Sequence, residues 1–234
     1  MPEAVLFDLD GVLVDSRIAI VRCIEHALRV HGAPVPPSAE LERFIGPPLI
    51  DGFAELAGPE VAASCLAAYR ERYVISSLEE TTVVPGAREA LAAVAAVVPV
   101  ALATSKPHAF AVPLCERLGL APHLGAVVGP SLDAPEEVKA VTVTRALAAL
   151  GLAPGADAPL VGDRRHDAEA AAANGLRCVG VLWGIGDEAE LRAAGADPIV
   201  GTPAELVSAL GLGKDQTRRS AGHSSLQARV RRHP

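Results

Sequence analysis

The sequence predicts an α/β fold, a parallel sheet covered by helices, with a helical insertion after the first strand. Three observations lead there. Short β-rich runs alternate with longer helical stretches after residue 80, the pattern of parallel strands joined by crossover helices. Between Ser16 and about Glu80 there are helical stretches and no convincing strand. An apolar fraction of 50% over 234 residues is enough to fill a core.

Taken in order, Ala4 to Leu9 is an apolar run that reads as a buried strand and ends in the acidic turn Asp8-Leu9-Asp10-Gly11. The helical stretch that follows is interrupted by APVPPS and IGPPL and returns near Val84-Pro85-Gly86. Ala90 to Ala103 is the longest apolar stretch, but it is shorter than the ~20 residues of a membrane span and is broken by Pro99, so it reads as helix, turn and the strand Val98 to Thr104. Further strands are expected at Ala126 to Gly129, Pro159 to Val161, Arg177 to Val181 and Pro198 to Val200. Glu136 to Leu150 is apolar at helical spacing and stops at Gly151, and Asp163 to Asn174 stops in the same way at Gly175. These boundaries give an α/β core of residues 1–15 and 81–213, a helical cap of 16–80 and a tail of 214–234. An insertion leaving after the first strand sits over the carboxyl end of the sheet, where open α/β folds bind ligands.

Charge and cysteine usage narrow the classes of function. The net charge of -7 includes a basic tail, in which Lys214, Arg218, Arg219, Arg229, Arg231 and Arg232 face Asp215 alone, so the body is more acidic than the total indicates. An acidic body argues against nucleic-acid binding by the fold. The tail is polar, without aromatics or helical periodicity, and reads as solvated disorder. Cys23, Cys65, Cys115 and Cys178 are far apart, without metal-ligand spacing, which fits reduced thiols in a core. No basic segment precedes an apolar one at the start, so neither a secretory signal nor a membrane partner is expected, and the location is cytoplasmic.

Asp8 and Asp10 share a parity on one strand, so both carboxylates can converge on one bound group. A turn capped by Asp-Gly explains such a pair by itself. The topology, however, brings three more strand-end groups to the same rim: Thr104 with Ser105, Lys139 just inside a helix, and Asp163 with Asp167 in VGDRRHD. Three carboxylates, a hydroxyl and an ammonium suit a site for Mg2+ and a phosphoryl group. Asp8 is then the nucleophile that forms an aspartyl phosphate, and Asp10 the acid that protonates the leaving oxygen and later the base that activates water. Only three lysines occur, Lys106, Lys139 and Lys214, and either of the first two is placed to reach a phosphoryl oxygen.

The segments DLDGVLVDS, ALATSKP, a later lysine and GDRRHDAEAAAANG resemble, in order, the four motifs of the haloacid dehalogenase-like phosphohydrolases. The resemblance runs from about Val5 to Leu210 and implies a Rossmann-like core with an inserted α-helical cap. Its branch is the phosphoglycolate phosphatase-like group, and FIGPPL, TSKP, GPSLDAPEEVK and GDRRHD are similar to a 5'-nucleotidase-like subset. It implies catalysis by Asp8, Asp10, Thr104 and Lys139, and Mg2+ held by Asp8, the backbone carbonyl of Asp10, and Asp163, with Asp167 nearby. Lys139 occupies the place of the third motif, although the loop before it departs from the subset at Ala134-Pro135. Gly11, Thr104, Ser105 and Lys139, with Arg43 and Gly46 of the cap loop, form the implied substrate-binding set. Arg164, Arg165 and His166 are expected to point outward or to pair with cap acids.

The expected activity is therefore a Mg2+-dependent phosphatase acting on a small phosphomonoester, phosphoglycolate-like acids first and nucleoside monophosphates second. Four of the seven aromatics (Phe44, Phe53, Tyr69, Tyr73) lie in the cap, where they either stack on a base or form the cap's own core. A dehalogenase is disfavoured by the presence of Asp10. A sugar phosphomutase shares the core residues, but those this chain resembles carry a basic RGxSR-like cap loop where this chain has RFIGPPL. A non-catalytic phosphoryl-binding regulator, the contrasting class, usually lacks one of the core carboxylates, and none is missing here.

Overall fold

The computed structural model of the chain describes residues 1–133 and 137–213, so the basic tail and the Ala134-Pro135 loop lie outside the described residues. The chain opens with β1 (Val5–Phe7) and β2 (Val14–Asp15), then four helices, α1 (Arg17–Val30), α2 (Ser38–Leu41), α3 (Leu49–Ala57) and α4 (Pro59–Glu80). It continues through β3 (Thr82–Val83), α5 (Ala87–Ala95), β4 (Val100–Ala103), α6 (His108–Arg117), β5 (Ala126–Val128) and α7 (Lys139–Ala149). The remainder is β6 (Leu160–Gly162), α8 (Arg165–Ala173), β7 (Cys178–Val181), α9 (Glu188–Ala193), β8 (Ile199–Val200) and α10 (Pro203–Ala209). Six strands form one parallel sheet in the order β5-β4-β1-β6-β7-β8. All six expected strands are present, with ends that differ from the expected ones by no more than two residues.

Strand alternation feeds two separate layers. Val5, Phe7, Val100, Leu102, Val161, Val179 and Val181 belong to one apolar cluster, while Leu6, Ala101, Ala103, Leu160 and Cys178 belong to the other. A strand buried on both faces has no polar side to show, which is why these segments read as continuous apolar runs. Helices α7 and α8 end at Gly151 (φ 75) and Gly175 (φ 69), where only glycine adopts the left-handed backbone without strain.

The helices between Ser16 and Thr81 have a third apolar cluster of their own, built from Ile24, Leu28, Leu41, Phe53, Cys65, Tyr69 and Tyr73 among others and joined by Phe110 of α6. The chain leaves the core through β2 and returns through β3, which pair antiparallel with Val14 opposite Val83 and Asp15 opposite Thr82. This two-residue ribbon is absent from the sequence reading. No described helix is long and apolar enough to cross a membrane.

Candidate active site

Each strand of the central trio β4-β1-β6 ends in a polar group. Asp8 follows β1, and its N–H donates to Val161 at 2.9 Å, which keeps the aspartate in register with the sheet. The chain then turns sharply, with Leu13 and Val14 donating to the carbonyl of Leu9 and Gly11 donating to Val14. That turn carries Asp10 back over the strand end. Thr104 follows β4, and its hydroxyl accepts the Lys106 N–H at 3.1 Å. Asp163 follows β6, and Asp167, one turn into α8, accepts the Arg164 N–H at 3.0 Å and so caps its own helix.

Asp8, Asp163 and Asp167 are buried, and one carboxylate oxygen from each lies within 4.8 Å of the other two. Lys139, the first residue of α7, reaches into this group: its ammonium is 2.8 Å from Asp8 Oδ2 and 2.5 Å from Asp167 Oδ1. Burial would lower the Lys139 pKa, but the carboxylates of Asp167 and Asp8 outweigh it and hold the amine charged. With all three carboxyls ionised, the one ammonium would leave the cluster two negative charges in excess. Burial, partly offset by Lys139, pushes the Asp8 carboxyl up to about 6, with Asp167 and Asp10 adding to the rise. Burial and the charges of Asp167 and Asp8 push Asp163 up to about 8. Asp8 Oδ1 is buried without a hydrogen-bond partner among the described residues. A bare buried oxygen, crowded carboxylates and hard oxygen donors fit a divalent cation such as Mg2+.

Glycines make the room. A Cβ on Gly11 (φ 80) or on Gly184 would stand 2.2 Å from Asp163 Oδ2, and one on Gly162 would stand 2.1 Å from Asp167 Cβ. Asp163 is further fixed by the Ile185 N–H at 2.7 Å.

Asp10 lies beside the triad and pairs elsewhere. Its Oδ1 accepts the Ser16 hydroxyl, and its Oδ2 is 3.0 Å from the Lys106 ammonium. The two candidate lysines are thus divided between the two acids of the first motif: Lys139 serves Asp8, and Lys106 serves Asp10.

Next to this polar floor is a cavity of about 390 Å3 with a largely apolar wall, including Phe44, Ile45, Leu49, Tyr69, Tyr73 and Phe110. Ser105 and Gly46 (φ 106) line both the cavity and the polar floor. The cap aromatics do two things at once. Phe53 packs edge-on to Tyr69 inside the helical cluster, while Phe44, Tyr69 and Tyr73 also face the cavity.

Arg43 is not brought to the site. Its guanidinium pairs with Glu55 and lies 4.5 Å from the Phe44 ring centre, and its side chain is 61% exposed. The chain turn that directs Gly46 inward directs Arg43 out. Arg164 also departs from expectation, because it bonds to Glu190 of α9 at 2.9 Å and to the backbone carbonyl of Ile45 at 3.1 Å rather than to a cap acid. The cavity is also lined by Arg70, which the sequence did not single out, by Tyr73, left open between base stacking and the cap's own core, and by His166, which was expected to point outward or to pair with cap acids. His166 Nε2 is buried without a partner among the described residues. Its place between Asp163 and Asp167 was the available signal, as the enrichment of aromatics in the cap was for Tyr73; for Arg70, inside a long helix, there was none.

Residues 5–181 match the family described as haloacid dehalogenase-like hydrolase. A 5'-nucleotidase of Pseudomonas aeruginosa is 39% identical over 192 residues, which cover 81% of this chain and 86% of that protein. A phosphoglycolate phosphatase of Yersinia pseudotuberculosis is 32% identical over 218 residues, covering 90% of this chain and 94% of that one. The solved structure of protein tyrosine kinase A of Mycobacterium tuberculosis is similar with a TM-score of 0.76 and 34% identity, covering 90% of this chain and 98% of that one.

Proposed function

Since the chain belongs to the haloacid dehalogenase-like hydrolases, we propose that it is a Mg2+-dependent phosphomonoesterase that works through an aspartyl phosphate on Asp8. The observation that carries this reading is the buried group of Asp8, Asp163 and Asp167 around the Lys139 ammonium, with an oxygen of Asp8 left bare. These three side chains, with the Asp10 carbonyl, would hold Mg2+, which when bound offsets charge on the phosphoryl oxygens. Lys139 and the Thr104 hydroxyl hold the remaining charge on the transferring group.

The chemistry follows from the protein's own groups. Asp8 attacks phosphorus, the bond from phosphorus to the leaving oxygen breaks, and that oxygen takes the proton of Asp10. Asp10, now a carboxylate beside Lys106, then takes a proton from water as the water attacks the aspartyl phosphate and the Asp8 oxygen leaves. Free phosphate and the unmodified enzyme result.

The cavity supports a substrate with a ring-bearing leaving group. Its 390 Å3 and apolar wall suit a nucleoside better than a glycolate, and this favours nucleoside monophosphates over phosphoglycolate-like acids. A second reading rests on Arg70, a half-buried cavity-wall residue in no ion pair among the described residues, which could receive a substrate carboxylate. Phosphate release from nucleoside 5'-monophosphates, phosphoglycolate and a hexose phosphate, each with and without Mg2+, tests all of this. The nucleotide should lead in kcat/KM. Preference for phosphoglycolate would favour the Arg70 reading, and absence of Mg2+-dependent release from every substrate would sink both.

A further inference from the structure

The Asp10 carboxylate is held at both oxygens, and both holds trace to the helical insertion. Ser16, which donates to Oδ1, is the residue before α1. Lys106, at Oδ2, donates a second time to the hydroxyl of Tyr73 on α4, and its ammonium lies 4.8 Å from the centre of the Tyr73 ring. The Lys106 side chain is 3% exposed and Tyr73 is 1% exposed. A buried ammonium and a buried phenol are costly unless each finds a partner, so this pairing is enforced from both sides.

Neither partner can drift. The Lys106 carbonyl packs so close to Gly129 that a Cβ there would come within 2.2 Å of it, and the Lys106 N–H is tied to Thr104. The Tyr73 ring is stacked on Tyr69 (5.1 Å, 16°) and meets the edge of Phe110 on α6 (5.3 Å, 83°). A continuous chain of contacts therefore runs from a core helix through a tyrosine of α4 and a buried lysine to the acid.

We propose that Tyr73 is a positioning residue: its hydroxyl fixes the Lys106 ammonium, which in turn aims the Asp10 carboxyl at the leaving oxygen while α4 is seated on α6. This rests on the acid role of Asp10 in the proposed function. As the leaving oxygen takes the proton, Lys106 stabilises the carboxylate that remains. A leaving group that departs readily as an anion needs little of this help, whereas a poor one needs all of it.

Two aryl phosphates of similar shape but different leaving-group acidity separate aim from fit. We expect Tyr73→Phe, which keeps the ring contacts, to lower kcat/KM for phenyl phosphate about tenfold more than for 4-nitrophenyl phosphate, a part of the ~10²- to 10⁴-fold that an acid contributes. Lys106→Met should show the same bias more strongly, with both variants assayed as full chains in saturating Mg2+ and their melting followed in parallel. An equal loss on the two esters, or no loss, in Tyr73→Phe would overturn the proposal and leave Tyr73 as packing, whatever Lys106→Met shows. Asp8→Asn serves as the separate control. Turnover surviving in that variant would refute the proposed function itself, while complete loss there beside an unbiased Tyr73→Phe would refute only the positioning role.

Discussion

Asp163 and Asp167 sit in one triad but are satisfied differently. Asp163 has one oxygen bonded to the Ile185 N–H and none of the described residues hydrogen-bonded to the other, whereas Asp167 spends one on the Arg164 N–H and the other on Lys139. Asp163→Asn should therefore raise the Mg2+ concentration needed for half-maximal rate at least about tenfold, and more than Asp167→Asn does. A Mg2+ titration of each variant reads this out, and equal shifts would contradict it. Lys139→Met should cost ~2–4 kcal/mol in kcat/KM, as for other preorganised electrostatic contacts, and more than Lys106→Met costs on 4-nitrophenyl phosphate. The carboxylates were legible in the sequence because strand ends and one helix turn are local features that fix which side chains meet. Arg43 was misplaced because adjacency to an inward loop says nothing about where a long side chain goes, and Glu55, twelve residues on, holds it outside. Arg70 and the bond between Tyr73 and Lys106 were illegible because what a side chain of α4 meets depends on what α6 and the cavity present to it.

At the level of elements, glycines stand in the turn after β1 and just past the end of α7, and these two separate strain from crowding. Gly11 (φ 80) and Gly151 (φ 75) share a left-handed backbone, but a Cβ at Gly11 meets Asp163, while one at Gly151 meets nothing within 4 Å. Gly151→Ala should lower stability by about 1 kcal/mol with full activity. Gly11→Ala should lower both stability and Mg2+ affinity, since Asp163 has to move; thermal melting and a Mg2+ titration distinguish the two. The four inner strands of the sheet were readable because burial on both faces leaves continuous apolar runs. The ribbon of β2 and β3 was not, because two-residue strands carry no periodicity.

For the molecule as a whole, the raised carboxyls link stability to pH and to the cation. Asp8 and Asp163 move from an ordinary carboxylate value of 3.8 up to about 6 and about 8, so between those limits the folded protein binds more protons than the unfolded one. Metal-free stability should therefore fall as pH rises from about 4 to about 8. Mg2+ relieves the repulsion only when the carboxylates are ionised, so it should raise the melting temperature more at pH 8 than at pH 5. A larger gain at pH 5 would contradict the assignment. The pairing of β2 with β3 has a different consequence. Exit and return lie side by side, Val14 against Val83, so both covalent links of the helical insertion to the core pass through one two-residue ribbon. Under the proposed function, the part of the cavity wall contributed by these helices can then be exchanged without touching the carboxylate triad. A chimaera that exchanges residues 17–81 for the equivalent stretch of another phosphatase, with Ser16 and Tyr73 retained to hold Asp10 and Lys106, should keep its catalytic floor and shift toward the donor's ranking of substrates.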